Sequence, residues 1–216
     1  MAWRHQPRDN KGRFASKTGV AAVVTASVVA FGATTGGVGG GTGPLGTGAG
    51  TGKNLVARKA ESKKSARAGR ADEAWHRLGL RTVRKATRQH TDCVRHSFGE
   101  VREFLIRNPC ASLKRTLFAV GEGKDSVVVS VAWVEFRTRA RAVKFRELID
   151  VHGTGDIAPL AGGLVGAADV RFTGHNYDSR LNRAVLTVAE TEPLSGEFSG
   201  EDLDTAAEVA ALLPRP

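Results

Sequence analysis

From Ala71 onward the apolar positions change period several times, and each change marks a predicted element. Ala71, Ala74, Trp75 and Leu78, followed by Val83 and Ala86, recur at helical spacing interrupted by Gly79, which predicts a helix or a pair of short helices. Ser97 and Glu100 have the spacing of a capping box, and Phe98, Val101, Phe104 and Leu105 share one face of the helix that Asn108-Pro109 stops. Leu113 to Val120 and Ser126 to Phe136 read as two strands of a hairpin, with Val127, Val129, Val131 and Trp133 alternating on one face of the second.

Helical spacing returns from Arg141 to Val151, with Ala142, Phe145, Leu148 and Ile149 inward. Residues 152–167 read as a loop by their Gly and Pro content, and Asp169–Thr173 with Arg183–Ala189 predict a second hairpin. Ser199 and Asp202 cap a last helix bearing Leu203, Ala206, Ala207, Ala210 and Leu213, which Pro214 ends. The fold class expected is α+β: an antiparallel sheet of two hairpins with helices mainly on one face. Trp133 belongs in its core, and Trp75 packs its helix or marks a contact surface.

The first quarter of the chain has a different pattern. No charged residue lies between Lys17 and Lys53. Its first part, rich in Val, Ala and Thr, is long enough to cross a bilayer, which takes roughly 17–25 residues. Its second part, mostly Gly with Thr, has the composition of a flexible tether. The domains expected are a basic tail (1–17), a transmembrane or signal segment (18–38), a tether (39–52), a basic linker (53–70) and an α+β domain (71–216). The small-x-small triplet Ala30-Phe31-Gly32 keeps signal cleavage, and so secretion, as an alternative to the retained anchor.

Gly46–Asn54 follows a β-branched run and ends in Gly52-Lys53, which suggests a phosphate loop. Two demands of that motif fail: Thr47 stands where the first Gly belongs, and Asn54 where Ser or Thr would bind magnesium. A tether is the better reading.

Charge changes the picture by its distribution. The chain carries a net +10, but residues 53–96 hold 13 Lys/Arg against 4 Asp/Glu, and residues 97–216 hold 14 against 17. Arg4, Arg8, Lys11, Arg13 and Lys17 precede the uncharged stretch, so the positive-inside rule places the N-terminus in the cytoplasm and the domain outside. The basic segment invites a nucleic-acid partner, although Trp75 is its only aromatic and no DNA- or RNA-binding motif appears in it. A solvated linker, or a segment lying on an anionic polymer or lipid heads, is favoured over nucleic acid.

Cys93 and Cys110 bracket the helix after Ser97, and the outside placement favours a disulfide over two reduced thiols. No CxxC pair and no His pair at ligand spacing suggests a metal, and no motif calls for a cofactor. His152 and Asp156, with His175, Tyr177, Asp178 and Arg180, fall in predicted loops and make the candidate binding residues. With Ser179 they allow a hydrolase to be imagined, but no nucleophile elbow, zinc motif or paired carboxylates accompany them. No catalytic residue is assigned.

The basic lead "DNKGRFASK", the Val/Ala span, the Gly/Thr tether, "DCVRHSFGEVREFLIRNPC", "VVVSVAWV" and the ending "DLDTAAEVAALLPRP" together resemble uncharacterised actinobacterial single-pass membrane-associated proteins. The resemblance covers most of the chain and implies an anchor followed by a domain, with no activity attached. The function expected is a membrane-tethered extracytoplasmic domain that binds a partner protein or envelope component. The alternatives are a cytoplasmic nucleic-acid-binding protein using residues 53–96, and a hydrolase-like enzyme using the loop histidines.

Overall fold

The computed structural model describes residues 55–216 and the backbone of Gln6–Pro7. The rest of the expected tail, the span 18–38, the tether 39–52 and the Gly46–Asn54 stretch lie outside the described residues. In chain order the elements are β1 (Gln6–Pro7), α1 (Leu55–Arg67), α2 (Ala71–Arg77), β2 (Arg81–His90), α3 (Gly99–Arg107), β3 (Ser112–Glu122), β4 (Asp125–Glu135), α4 (Arg139–Ile149), β5 (Val151–His152), β6 (Tyr177–Asn182), β7 (Val185–Ser195) and α5 (Gly200–Ala210). Short 3-10 turns occupy Val94–His96 and Gly162–Val165. No described helix is long and apolar enough to cross a membrane.

The main sheet is antiparallel with strand order β2-β3-β4-β7-β6. Its two hairpins are β3–β4, with Val120 opposite Val127, and β6–β7, with Asn182 opposite Val185. The fifth strand, β2, departs from the expected helix. Val83 and Ala86 lie in an edge strand, with Ala86 opposite Leu117 on β3. Gly79, at φ +81°, ends the α2 turn where the helical spacing was interrupted. The second hairpin also differs from expectation, because Tyr177–Asn182 forms its first strand and Arg183, at φ 54°, makes the turn.

Helices cover both faces of the sheet rather than mainly one. Val127, Val129, Val131 and Trp133 on β4 meet Trp75, Leu78, Leu203 and Val209 from α2 and α5, with Leu55 and Ala66 of α1. The alternate residues Ala132 and Val134 pack under α3 and α4 with Leu105 and Phe145, and Val128 packs under Leu160 and Val165. The run "VVVSVAWV" fills both parities, so the strand needs apolar cover above and below. A sheet with one solvated face would have left half of these residues in water.

The expected basic linker is α1 from Leu55 onward, and it belongs to the packed fold. Its buried residues are Leu55, Ser62, Ser65 and Ala66, small enough for close helix contact, and Ser62 Oγ donates to the Ala74 carbonyl at 2.7 Å. Glu208 of α5 is ion-paired with Lys59 (2.5 Å) and Lys63. Burial pushes the Glu208 carboxyl up, yet its hydrogen bonds to the two lysines leave it below the usual carboxylate value. At α5 the expected capping box forms: Asp202 N donates to Ser199 Oγ, and Asp202 Oδ2 accepts from the Ser199 amide. Asp202 Oδ1 also accepts from Leu55 N at 2.9 Å, so one carboxylate caps two helices.

Candidate binding cleft

The capping box expected at Ser97 and Glu100 does not form. Phe98 is the N-cap of α3, and the Ser97 hydroxyl donates to the Val94 carbonyl instead. The reason is a backbone crossing. Phe98 N donates to Asp156 O and Val101 N to Thr154 O, both at 3.1 Å, which satisfies the start of the helix from the 154–156 loop. Gly155, at φ +98°, lies so close that a Cβ there would sit 2.1 Å from the Phe98 carbonyl oxygen, and only glycine fits.

This crossing forms one end of a cleft of about 610 Å³, within the range of small-molecule and peptide sites. Phe98 and Gly99 at the start of α3, Ile149, Val151 to Gly153, the 155–162 loop, residues 170–174 and Glu190 of β7 line it. Its surface is mostly apolar: Phe98 is 52% exposed, and Ile149, Leu160, Val170 and Phe172 continue the lining. Thr154, between the lining residues Gly153 and Gly155, is buried, and its hydroxyl is directed at the carbonyls of Leu148 (3.0 Å) and Val151 (2.8 Å). Thr173 donates through its amide and hydroxyl to Glu192, at 2.9 and 2.6 Å, and this fixes the 170–174 rim. Arg171, exposed on that rim, makes no ion pair among the described residues.

Of the residues singled out in the sequence, His152 and Asp156 line the cleft, and the His175 ring lies 5.6 Å from the His152 ring, centroid to centroid. Three candidates lie elsewhere. Tyr177 is buried, and its hydroxyl donates to Asp150 Oδ1 at 2.9 Å, tying β6 to the end of α4. Asp178, next along the strand, faces the opposite side of the sheet, where its Oδ2 is 2.9 Å from Arg180 Nη2 but out of line for a hydrogen bond. Burial raises the Asp178 carboxyl to about 6, and Glu208 adds to that, while Arg180, the Ser179 amide and Lys63 oppose it. The period-two alternation of β6 therefore splits a set that is contiguous in sequence.

Cys93 and Cys110 sit at disulfide distance, with Cα atoms 6.3 Å apart, and fasten the turn before α3 to the start of β3. Among the described residues no group of three or more His, Cys, Asp or Glu is placed to hold a metal ion. Sequence reasoning missed a further cluster, His90, His96 and Arg115. They belong to no motif: the pairing of β2 with β3 brings His90 to Arg115, and the turn at Val94–His96 sets His96 against His90. The chain matches no family model, no curated protein and no solved structure.

Proposed function

We propose that the chain presents an extracytoplasmic, disulfide-closed domain, held to the membrane through residues 18–38, that binds a partner protein or envelope component in the cleft beside β5. The observation that carries this reading is the cleft itself. Four separated segments converge on it, and its apolar lining and exposed Phe98 meet a cation, Arg171, without an ion-pair partner among the described residues. Such a lining suits a ligand with an apolar body and an anionic group. The bridging distance of Cys93 and Cys110 supports an oxidising compartment.

The test uses the full chain in bacterial membranes, with a photo-crosslinking side chain in place of Phe98 or, as control, of Val83 on β2. A discrete adduct is expected from position 98 and is expected to fade when Arg171→Glu is added. Equal adducts from both positions, or none from 98, would remove the cleft from the function.

A second reading rests on the two-residue ladder that pairs Gln6 with His152 and Pro7 with Val151. A retained single span between residues 7 and 151 would separate those partners by a bilayer. In a cytoplasmic chain they share a side, and the basic segment 53–96 becomes a nucleic-acid surface. Arg58, Lys64, Arg67, Arg81, Arg84, Lys85 and Arg88 form no ion pair among the described residues, which suits that use. On intact cells, an impermeant thiol reagent that labels Cys93 and Cys110 only after reduction favours the tethered domain. Labelling confined to lysed cells, with salt-dependent retention on DNA, favours the second reading.

A further inference from the structure

We propose that Arg115, His90 and His96 form a proton-operated latch that holds the 158–168 wall of the cleft in place at neutral pH and releases it on acidification. Arg115 of β3 is buried, and among the described residues no carboxylate pairs with it. Its Nη1 donates to the carbonyls of Ala158 (2.6 Å) and Pro159 (3.3 Å), and its Nη2 lies 3.0 Å from His90 Nε2. His90 Nδ1 is in turn 3.0 Å from His96 Nε2, with the two rings 4.0 Å apart. The main chain closes the circuit, because the His96 carbonyl accepts from Ala158 N at 2.9 Å.

Proton positions in this chain follow from one fact: a guanidinium has donors and no acceptor. His90 Nε2 must therefore be bare and accept from Arg115. Its ring proton sits on Nδ1 and donates to His96 Nε2, which must also be bare, and His96 keeps its own proton on Nδ1. Both rings are neutral, in tautomers dictated by Arg115. An added proton on His96 Nε2 faces the His90 Nδ1–H, and one on His90 Nε2 faces the guanidinium. Either one turns a hydrogen bond into a contact between donors and brings positive charge to a buried arginine.

The surroundings deepen this effect. Burial, then Arg115 and Arg88, hold the His90 ring below its usual pKa. Burial, then Arg115, His90 and Arg95, do the same for His96, with Asp92 the one opposing carboxylate. Residues 157–168 contain no ionisable side chain, so the wall has no charge with which to compensate. The folded chain keeps these rings neutral where the unfolded chain would protonate them. The latch is thus complete above about pH 6.5 and is lost as pH falls through the lowered folded values. What it holds is Leu160, Val165 and Ala167 over Leu117, Ala119 and Val128, together with Pro159 to Gly162 of the cleft lining.

Hydrogen exchange of the full chain at about pH 7.5 and about pH 5, corrected for the intrinsic pH dependence of exchange, tests the latch without any ligand. Protection of amides 160–168 is expected to fall as pH drops below about 6.5, by up to about tenfold per pH unit for each imidazole that gains a proton on release, and to level off below the lowered folded values. The double variant His90→Gln and His96→Gln keeps an acceptor toward Arg115 but cannot titrate, and is expected to hold protection steady across the same range. Pronounced acid loosening in that variant would overturn the proposal. Nitrogen NMR of the wild-type imidazoles gives an independent reading should the variant not fold: Nδ1–H tautomers on both rings support the latch, and an Nε2–H on His90 refutes it.

Discussion

On one face of the sheet, Trp75, Leu78 and Phe118 join Val127, Val129, Val131 and Trp133 and the residues of α1 and α5 in a single apolar cluster closed by ion pairs at Glu208. The opposite face is divided into two clusters, and much of its cover is the 157–172 loop. Beside α3 and α4, that cover is held by a covalent bridge, a glycine crossing and an arginine strut. The comparison teaches where a small domain places its adaptable parts. The face under α1, α2 and α5 supplies rigidity, and the cleft opens on the face where loop cover held by a few discrete fastenings joins α3 and α4.

The largest expected effect tests the helical face. Trp75 is fully buried and meets Phe118 edge-on at 5.7 Å, so Trp75→Ala is expected to cost about 3–5 kcal/mol in chemical denaturation. A loss under about 1 kcal/mol would show that this cluster is not the rigid half. Reduction of the Cys93–Cys110 bridge, which closes 17 residues of chain, is expected to cost about 3 kcal/mol. Exchange should rise mainly around residues 93–110 and 153–158, and equal loosening near α2 and α5 would mean that the faces unfold as one.

The smallest effect compares the two faces through their titration. Asp178 keeps its proton up to about pH 6 when folded, whereas an unfolded Asp releases it near 3.8. The folded state therefore binds the extra proton, and Asp178 makes stability fall as pH rises through that window. The His90–His96 pair, with folded values lowered, makes stability rise with pH just below 6.5. Asp178→Asn is expected to gain about 1–2 kcal/mol near neutrality and to steepen the remaining rise of stability with pH. A pH series of urea midpoints checks this, and an unchanged slope between pH 4 and 6 would contradict it.

Legibility followed the strength of the local signal. The β3–β4 hairpin is plain because Val127, Val129, Val131 and Trp133 alternate around a Gly turn, and α5 is plain because Ser199 and Asp202 satisfy each other locally. The strand Arg81–His90 was obscure because an edge position leaves Arg84, Lys85 and Arg88 in water, with little apolar alternation to read. Helix α1 was obscure because it buries Ser62, Ser65 and Ala66, which form no hydrophobic stripe. At the candidate site, loop composition pointed to His152, Asp156 and His175. Nothing local marks Arg171 on the rim or Arg115 behind the wall, since their surroundings are set by residues far off in sequence.

Asp202 links the first and last helices described, 147 residues apart, by completing α1 and α5 with a single carboxylate. That arrangement fixes an order of events. As synthesis proceeds, α1 emerges first, with a short apolar start and no acidic residue in its first turn, and its partner is the last helix to appear. Helix α1 must wait unsealed until α5 has emerged, and the loop that closes then spans nearly the whole domain. A nascent chain truncated before Gly200 should lack a docked α1.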